Sequence, residues 1–187
     1  LTPTACPDPD PYDWRVEPGP RVGVLLYRAH RQSADVHWCD VLLETLRSHG
    51  LVPRALWVSS LRDLAVQSAV KDLCRQQHVE LVITSTSFAS VQFSEAGLGA
   101  PLWDDLDLPV LQMLSSGRSR ERWQESFQGL DPIDLSLQVV LPELDGRITT
   151  RIGAFREVEH ADQHLCTAVK RLEPDQSGLN WIAEHVS

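Results

Sequence analysis

The sequence predicts an α/β protein: a three-layer sandwich on a mostly parallel sheet, with a C-terminal helical extension. Two features carry this reading. Short apolar runs without polar alternation recur along the chain, and amphipathic helical segments separate them. Unbroken apolar runs belong to strands covered on both faces, and strands alternating with helices imply right-handed βαβ crossovers.

Residues 1–20, rich in Pro and Asp, exclude a helix or a central strand and read as a leader or linker in which Trp14 packs on the body. Val22–Tyr27 is the first strand. Helical spacing of Val36, Leu42, Leu43 and Leu46 gives a helix from Asp35 to Ser48, which His49-Gly50 stops. Pro53–Val58 is the second strand, and a helix over Leu61–Gln77 begins beside Asp63, which suits the positive end of its dipole. Val79–Thr84 is the third strand, ending in Thr84-Ser85-Thr86-Ser87. After an excursion through Gly97, Gly99 and Pro101, Leu108–Leu114 is the fourth strand, followed by Ser115-Ser116-Gly117 and a helix from Arg120 to Ser126. The apolar run Leu135–Val140 reads as a fifth strand, with Ile148–Ala154 a short strand returning beside it. Glu157–Ser187 reads as helix, break at Pro174, helix; Leu165, Cys166, Val169 and Leu172 form one apolar stripe. The arrangement is of flavodoxin-like or Rossmann-like type. Its expected units are a leader (1–20), an α/β domain (21–155) and a helical extension (156–187) leading to further structure.

Composition narrows the function. A 42% apolar content builds a real core, while a net charge of −9 opposes a nucleic-acid backbone. No apolar run reaches the roughly 20 residues that span a bilayer, and no signal peptide is evident, so a cytoplasmic protein is expected. The chain begins at Leu1 without Met, which points to processing or to a piece of something longer. Cys6, Cys39, Cys74 and Cys166 lack zinc or redox spacing and read as reduced, mostly buried thiols. Neither G-x-G-x-x-G nor a P-loop is present, so ATP is not handled here in the usual way, and no nucleophile elbow is present either.

Open α/β sheets bind ligands beyond the carboxyl ends of their strands. Tyr27-Arg28, Thr84–Ser87, Ser115–Gly117 and Glu143–Arg147 are expected there. Backbone N–H groups of Ser115, Ser116 and Gly117, with Arg118, suit an anion, and equally suit an N-cap and turn. Glu143 ends the expected fifth strand, where Pro142 stops pairing and Asp145-Gly146 turns the chain; the segment is either a ligand site or a solvated acidic turn. His30 follows the first strand and faces a ligand or the interior. His160 and His164, spaced i,i+4, are compatible with a metal on one helix face or with a plain solvated face.

Several segments resemble a known family. Gly23-Val24-Leu25-Leu26-Tyr27-Arg28, Val58-Ser59-Ser60-Leu61-Arg62-Asp63, Pro109-Val110-Leu111-Gln112 and above all Val139-Val140-Leu141-Pro142-Glu143-Leu144-Asp145-Gly146-Arg147 are similar, in order, to the CobN-type large subunit of cobaltochelatase and the related H subunit of magnesium chelatase. The match runs from about Arg21 to Phe155. The resemblance implies one internal domain of a long subunit that inserts Co²⁺ into the corrin precursor hydrogenobyrinic acid a,c-diamide, with ATP hydrolysed on separate AAA+ partner subunits. It implies that Glu143 serves as base or transient metal ligand and His30 as second ligand or proton acceptor. Asp145 would steady Arg147, and Arg28, Arg118 and Arg147 would bind the macrocycle's carboxylates alongside the Ser116 and Gly117 backbone. In the loop Ala29–Val36, Ser33-Ala34 stands where the family has a small residue followed by Gly. Arg147-Ile148-Thr149-Thr150-Arg151 in place of a Glu-Pro continuation favours the cobalt branch over the magnesium one, in which Mg²⁺ is the substrate metal. The alternatives are a magnesium chelatase H-type subunit or a chelatase-like paralogue, a non-catalytic module that docks neighbouring domains or the AAA+ partners, and an FMN-binding protein of flavodoxin type.

Overall fold

A computed structural model describes residues 8–87, 89–90, 92–94, 97–99, 101–162 and 167–187. It is an α/β fold on a seven-stranded sheet. Five strands are parallel: β2 (Arg21–Tyr27), β3 (Val52–Val58), β4 (Leu81–Thr84), β7 (Val110–Ser116) and β8 (Ile148–Asp162). They lie in the order β3-β2-β4-β7-β8, so the chain leaves β2 toward both edges. This is one of the common doubly wound orders. Antiparallel strands β1 (Asp10–Tyr12) and β9 (Thr167–Pro174) close the two edges on β3 and β8. A separate pair, β5 (Gln92–Ser94) and β6 (Gly97–Gly99), follows β4.

Helices cover both faces. Alternation in β2 sends Val22, Val24 and Leu26 to one side, where α2 (His37–Ser48) and α8 (Gln176–Val186) bring Trp38, Leu42, Leu46, Leu179 and Ile182. Leu25 points the other way with Leu56, Val58 and Val82, against Val66, Val70 and Cys74 of α3 (Leu64–Gln76) and Leu102 and Trp103 of α4 (Pro101–Leu106). Cys39 and Cys74 are buried and unpaired, and burial pushes both thiols up, Cys74 to about 11. Cys6 and Cys166 lie outside the described residues.

Local signals explain most boundaries. Gly50, at φ +78, takes the left-handed turn that ends α2. The Asp63 carboxylate accepts the Ala65 N–H at 2.8 Å to cap α3. The leader is part of the fold: β1 pairs with β3, and the Trp14 indole donates to the Ala55 carbonyl at 2.8 Å.

Two expected elements are corrected. Leu135–Val140 is not a strand. Asp131 caps the N–H groups of Ile133 and Asp134, both at 2.9 Å, and Pro132 occupies the first helical turn. The chain then stays helical from α6 (Pro132–Leu135) through a π-helical turn (Ser136–Val140) to α7 (Leu141–Leu144). A helical Pro142 supplies no N–H and crowds the carbonyl one turn back; the wider π turn directly before it relieves this conflict. The second correction is Glu157–Leu172, expected as a helix. It is the β8–β9 hairpin, with Glu157 opposite Arg171 and His160 opposite Val169. His160 therefore lies on a strand and not on a helix; His164 and Leu165 lie outside the described residues.

Only the last helix of the expected extension forms, and it belongs to the core. Asp175 donates its N–H to the Gly153 carbonyl at 2.8 Å and caps the Gly178 N–H at 2.7 Å. Backbone meets backbone there, since a Cβ on Gly178 would lie 1.9 Å from the Ile152 carbonyl oxygen. Gly178→Ala must push α8 off β8 and is expected to cost roughly 1–3 kcal/mol or more. Hydrogen exchange should report lost protection in peptides spanning 176–186, and unchanged exchange would contradict this packing.

Candidate functional site

Where the chain leaves β2 in both directions, neither crossover fills the space above the carboxyl ends, and a crevice opens. Here it lies over β2, β4 and β7, with a cavity of about 210 Å³ walled by Tyr27, His30, Ser85, Ser115, Gln138 and Arg156. A second cavity of about 230 Å³, toward β3, shares Tyr27 and Ser87 with it. Each is smaller than the roughly 300–1,000 Å³ typical of a small-molecule site. They accept a substituent or one rim of a large ligand rather than the whole of it.

The β7 wall depends on unequal strand lengths. The last β4 residue, Thr84, pairs with Gln112, whereas β7 continues to Ser116. The exposed ladder groups still need partners. The Gln138 amide supplies them, accepting the Ser115 N–H at 2.7 Å and donating to its carbonyl at 2.8 Å. Asp134 accepts the Gly117 N–H at 2.7 Å and the Gln138 amide at 3.1 Å. The Ser116 hydroxyl accepts the Arg118 N–H at 3.1 Å. Ser116 and Gly117 thus line the crevice as expected by sequence position, but their turn does not present an empty anion cradle: an internal carboxylate already holds the Gly117 donor.

His30 sits in the opposite wall, its Nδ1 3.7 Å from an Asp35 carboxylate oxygen and its ring edge-on to Trp38. Asp35 is itself fixed, accepting the Leu172 N–H at 3.0 Å. Burial above all, and the Arg156 cation, hold the imidazole below its usual pKa against the opposing pull of Asp35. A neutral ring at neutral pH can accept a proton.

The other expected site residues lie apart from the crevice. Arg28 opens α1 (Arg28–Gln32) and pairs with Asp8 at 3.3 Å. Arg118 donates to Gln128 at 3.2 Å. Glu143 is exposed on α7, without an ion pair among the described residues, and does not line either cavity.

Asp145 and Arg147 require a correction. They do not stand at a carboxyl edge but precede the amino end of β8, where Ile148 pairs with Leu111. Both side chains are fully buried and bonded to each other at 2.6 Å. Arg147 also donates to the Thr86 carbonyl at 3.1 Å and to Gln112 at 3.0 Å, under the Trp103 ring. Asp145 accepts the Ser90 N–H at 2.7 Å and the Trp103 indole at 3.3 Å. Burial pulls the guanidinium pKa down while Asp145 pulls it up. The pair ties the turn before β8 to the loop after β4 and to α4, so it supports the crevice from beneath. Among the described residues there is no cluster of three metal-ligating side chains.

Gln138, Asp134 and Arg156 were absent from the sequence-based site. Reading Leu135–Val140 as a strand hid the first two; the helix-start signal Asp131-Pro132 would have revealed them. Arg156 lay in a segment assigned to the boundary of a helical extension.

Two outcomes follow from this geometry. Asp145→Ala leaves a buried guanidinium without its carboxylate and is expected to cost about 3–5 kcal/mol, with faster hydrogen exchange between Ser85 and Ser90. His30 should titrate below the ordinary value of about 6.5, read from the pH dependence of its diethyl pyrocarbonate modification by mass spectrometry. Arg156→Gln removes a repelling charge and should raise that midpoint; an unchanged midpoint would place Arg156 too far away to act.

Comparison with known proteins agrees with this architecture. Residues 7–187 match the family described as CobN/Magnesium Chelatase. The aerobic cobaltochelatase subunit CobN of Pseudomonas aeruginosa is 33% identical over 92% of this chain, which covers 14% of that protein. The magnesium-chelatase subunit ChlH of rice is 28% identical over 81% of this chain, covering 12% of its length. The catalytic subunit of cobaltochelatase from Mycobacterium tuberculosis superposes with a TM-score of 0.79 at 24% identity, over 97% of this chain and 15% of that one, and so shares the fold. The chain, spanning about a seventh of the CobN relative's length, belongs to the CobN/magnesium chelatase family.

Proposed function

We propose that this chain is one α/β domain of a cytoplasmic cobaltochelatase-type large subunit, which inserts Co²⁺ into hydrogenobyrinic acid a,c-diamide during cobalamin biosynthesis. The observation that carries the proposal is the open crevice at the switch point of the sheet, walled by hydroxyls, a neutral histidine and a cation. ATP is hydrolysed on separate AAA+ subunits, as the resemblance to the cobaltochelatase large subunit implies. Two cavities of this size meet one rim of a macrocycle, and the remainder of the site comes from other domains of the same subunit.

Insertion removes two protons from ring nitrogens and strips water from a divalent ion. Glu143, an exposed carboxylate on the helical stretch whose inner face lines the crevice, takes a proton or transiently holds the entering ion. His30 is the second acceptor. Asp145 and Arg147 act as positioning residues that fix the loop beneath the crevice. Mg²⁺ is the alternative metal, favoured by the similarity to ChlH, while the higher identity to CobN favours cobalt. A purely docking role for the domain predicts no contribution from Glu143.

In the complete subunit with its ATPase partners, Glu143→Gln should lower the insertion rate about 100-fold or more while corrin binding, followed by absorbance, stays within a few-fold of wild type. An unchanged rate would remove Glu143 from the chemistry and leave the docking role.

A further inference from the structure

Arg156 is the cation of the crevice that the fold itself does not use. It lies on β8 opposite Leu172 and is partly buried. Its guanidinium has no hydrogen-bond acceptor or ion-pair partner among the described residues. The neighbouring acids are committed elsewhere: Asp134 to Gly117 and Gln138, and Asp35 to the Leu172 N–H and to His30. The three arginines expected at the site are engaged, Arg28 with Asp8, Arg118 with Gln128, and Arg147 inside the fold.

A partly buried arginine without a protein acceptor is a ready partner for an anion, since the incoming carboxylate supplies the hydrogen-bond acceptors that the fold does not. Across the crevice stands Tyr27, whose hydroxyl has no hydrogen-bond partner among the described residues and can donate to a carboxylate oxygen, whereas the Ser115 hydroxyl already donates to Gln138 at 3.1 Å and that of Ser85 to the Leu25 carbonyl at 3.4 Å. The cavity has room for a short side arm and not for a whole macrocycle.

We infer that Arg156, with the Tyr27 hydroxyl in the same cavity, forms a subsite for a carboxylate-bearing side arm at the rim of a larger ligand. The fork of Arg156 takes both carboxylate oxygens, a geometry that an ammonium does not reproduce. The carboxylate enters beside His30 and offsets the cation's repulsion of that ring. This deepens the proposed function and rests on it only in naming a corrin as the bearer of the side arm.

The test uses the full-length protein. Hydrogenobyrinic acid a,c-diamide is titrated into wild type, Arg156→Gln and Arg156→Lys, and binding is read by corrin absorbance. Loss of one charge-assisted contact is expected to weaken binding roughly 10- to 100-fold in Arg156→Gln, with partial recovery in Arg156→Lys. Equal affinity in wild type and Arg156→Gln overturns the subsite. Phenylglyoxal modification of Arg156, followed on its peptide by mass spectrometry, is independent of the corrin: sodium propionate should slow it where sodium chloride of equal ionic strength does not. If wild type binds no corrin, the proposed function fails, and propionate protection decides the subsite alone. Absence of that protection overturns it.

Discussion

The buried pair of Asp145 and Arg147 is the joint on which the site depends. Two opposite charges leave water together, and neither is tolerable inside the protein without the other. Among the described residues their additional bonds reach the Thr86 carbonyl, Gln112 on β7, Ser90 in the loop after β4, and the Trp103 indole of α4. A helix, a strand and a loop on one side of the sheet are thereby tied to the turn that starts β8. The floor of the crevice inherits its position from that set of bonds.

The same shortfall in β4 governs the upper wall. Because β4 stops at Thr84 while β7 runs on to Ser116, one side of β7 would carry unpaired backbone groups. Gln138 meets that need with a side-chain amide, reaching in from the helical stretch that the Asp131 cap starts and Pro142 distorts. The outcome is an edge that a strand has vacated and side chains have bounded, which is how a polar crevice persists beside a packed core. On the outer side of the same stretch Ile133, Val140 and Leu144 face solvent.

Charge within the crevice is nearly balanced but unevenly assigned. Asp134 spends both oxygens on internal donors, and Asp35 supports β9 and His30. Burial keeps His30 neutral. The crevice thus joins one cation to one neutral imidazole on a polar surface.

Four of the five parallel strands were legible in the sequence because unbroken apolar runs such as Val22–Tyr27 and Pro53–Val58 have one economical use, burial between two helical layers; the fifth, β8, was expected only as a short strand returning beside Leu135–Val140, whereas it runs parallel to β7. His30, Ser116 and Gly117 were placed at the carboxyl edge for the same reason: each directly follows such a run. Leu135–Val140 misled because a short apolar run is compatible with either a strand or a helix. The decision came from outside it, through the Asp131 cap and the need of β7 for Gln138. Likewise the hairpin of β8 and β9 exists because β8 offers an unpaired edge, a condition invisible in the spacing of Val169 and Leu172. The sequence by itself therefore determined the layers and the catalogue of chemical groups. Tertiary structure alone decided which charges satisfy one another inside, as Asp145 and Arg147 do, and which, like Arg156, are left to face a ligand, because partnership between polar groups depends on distances set only when distant segments meet.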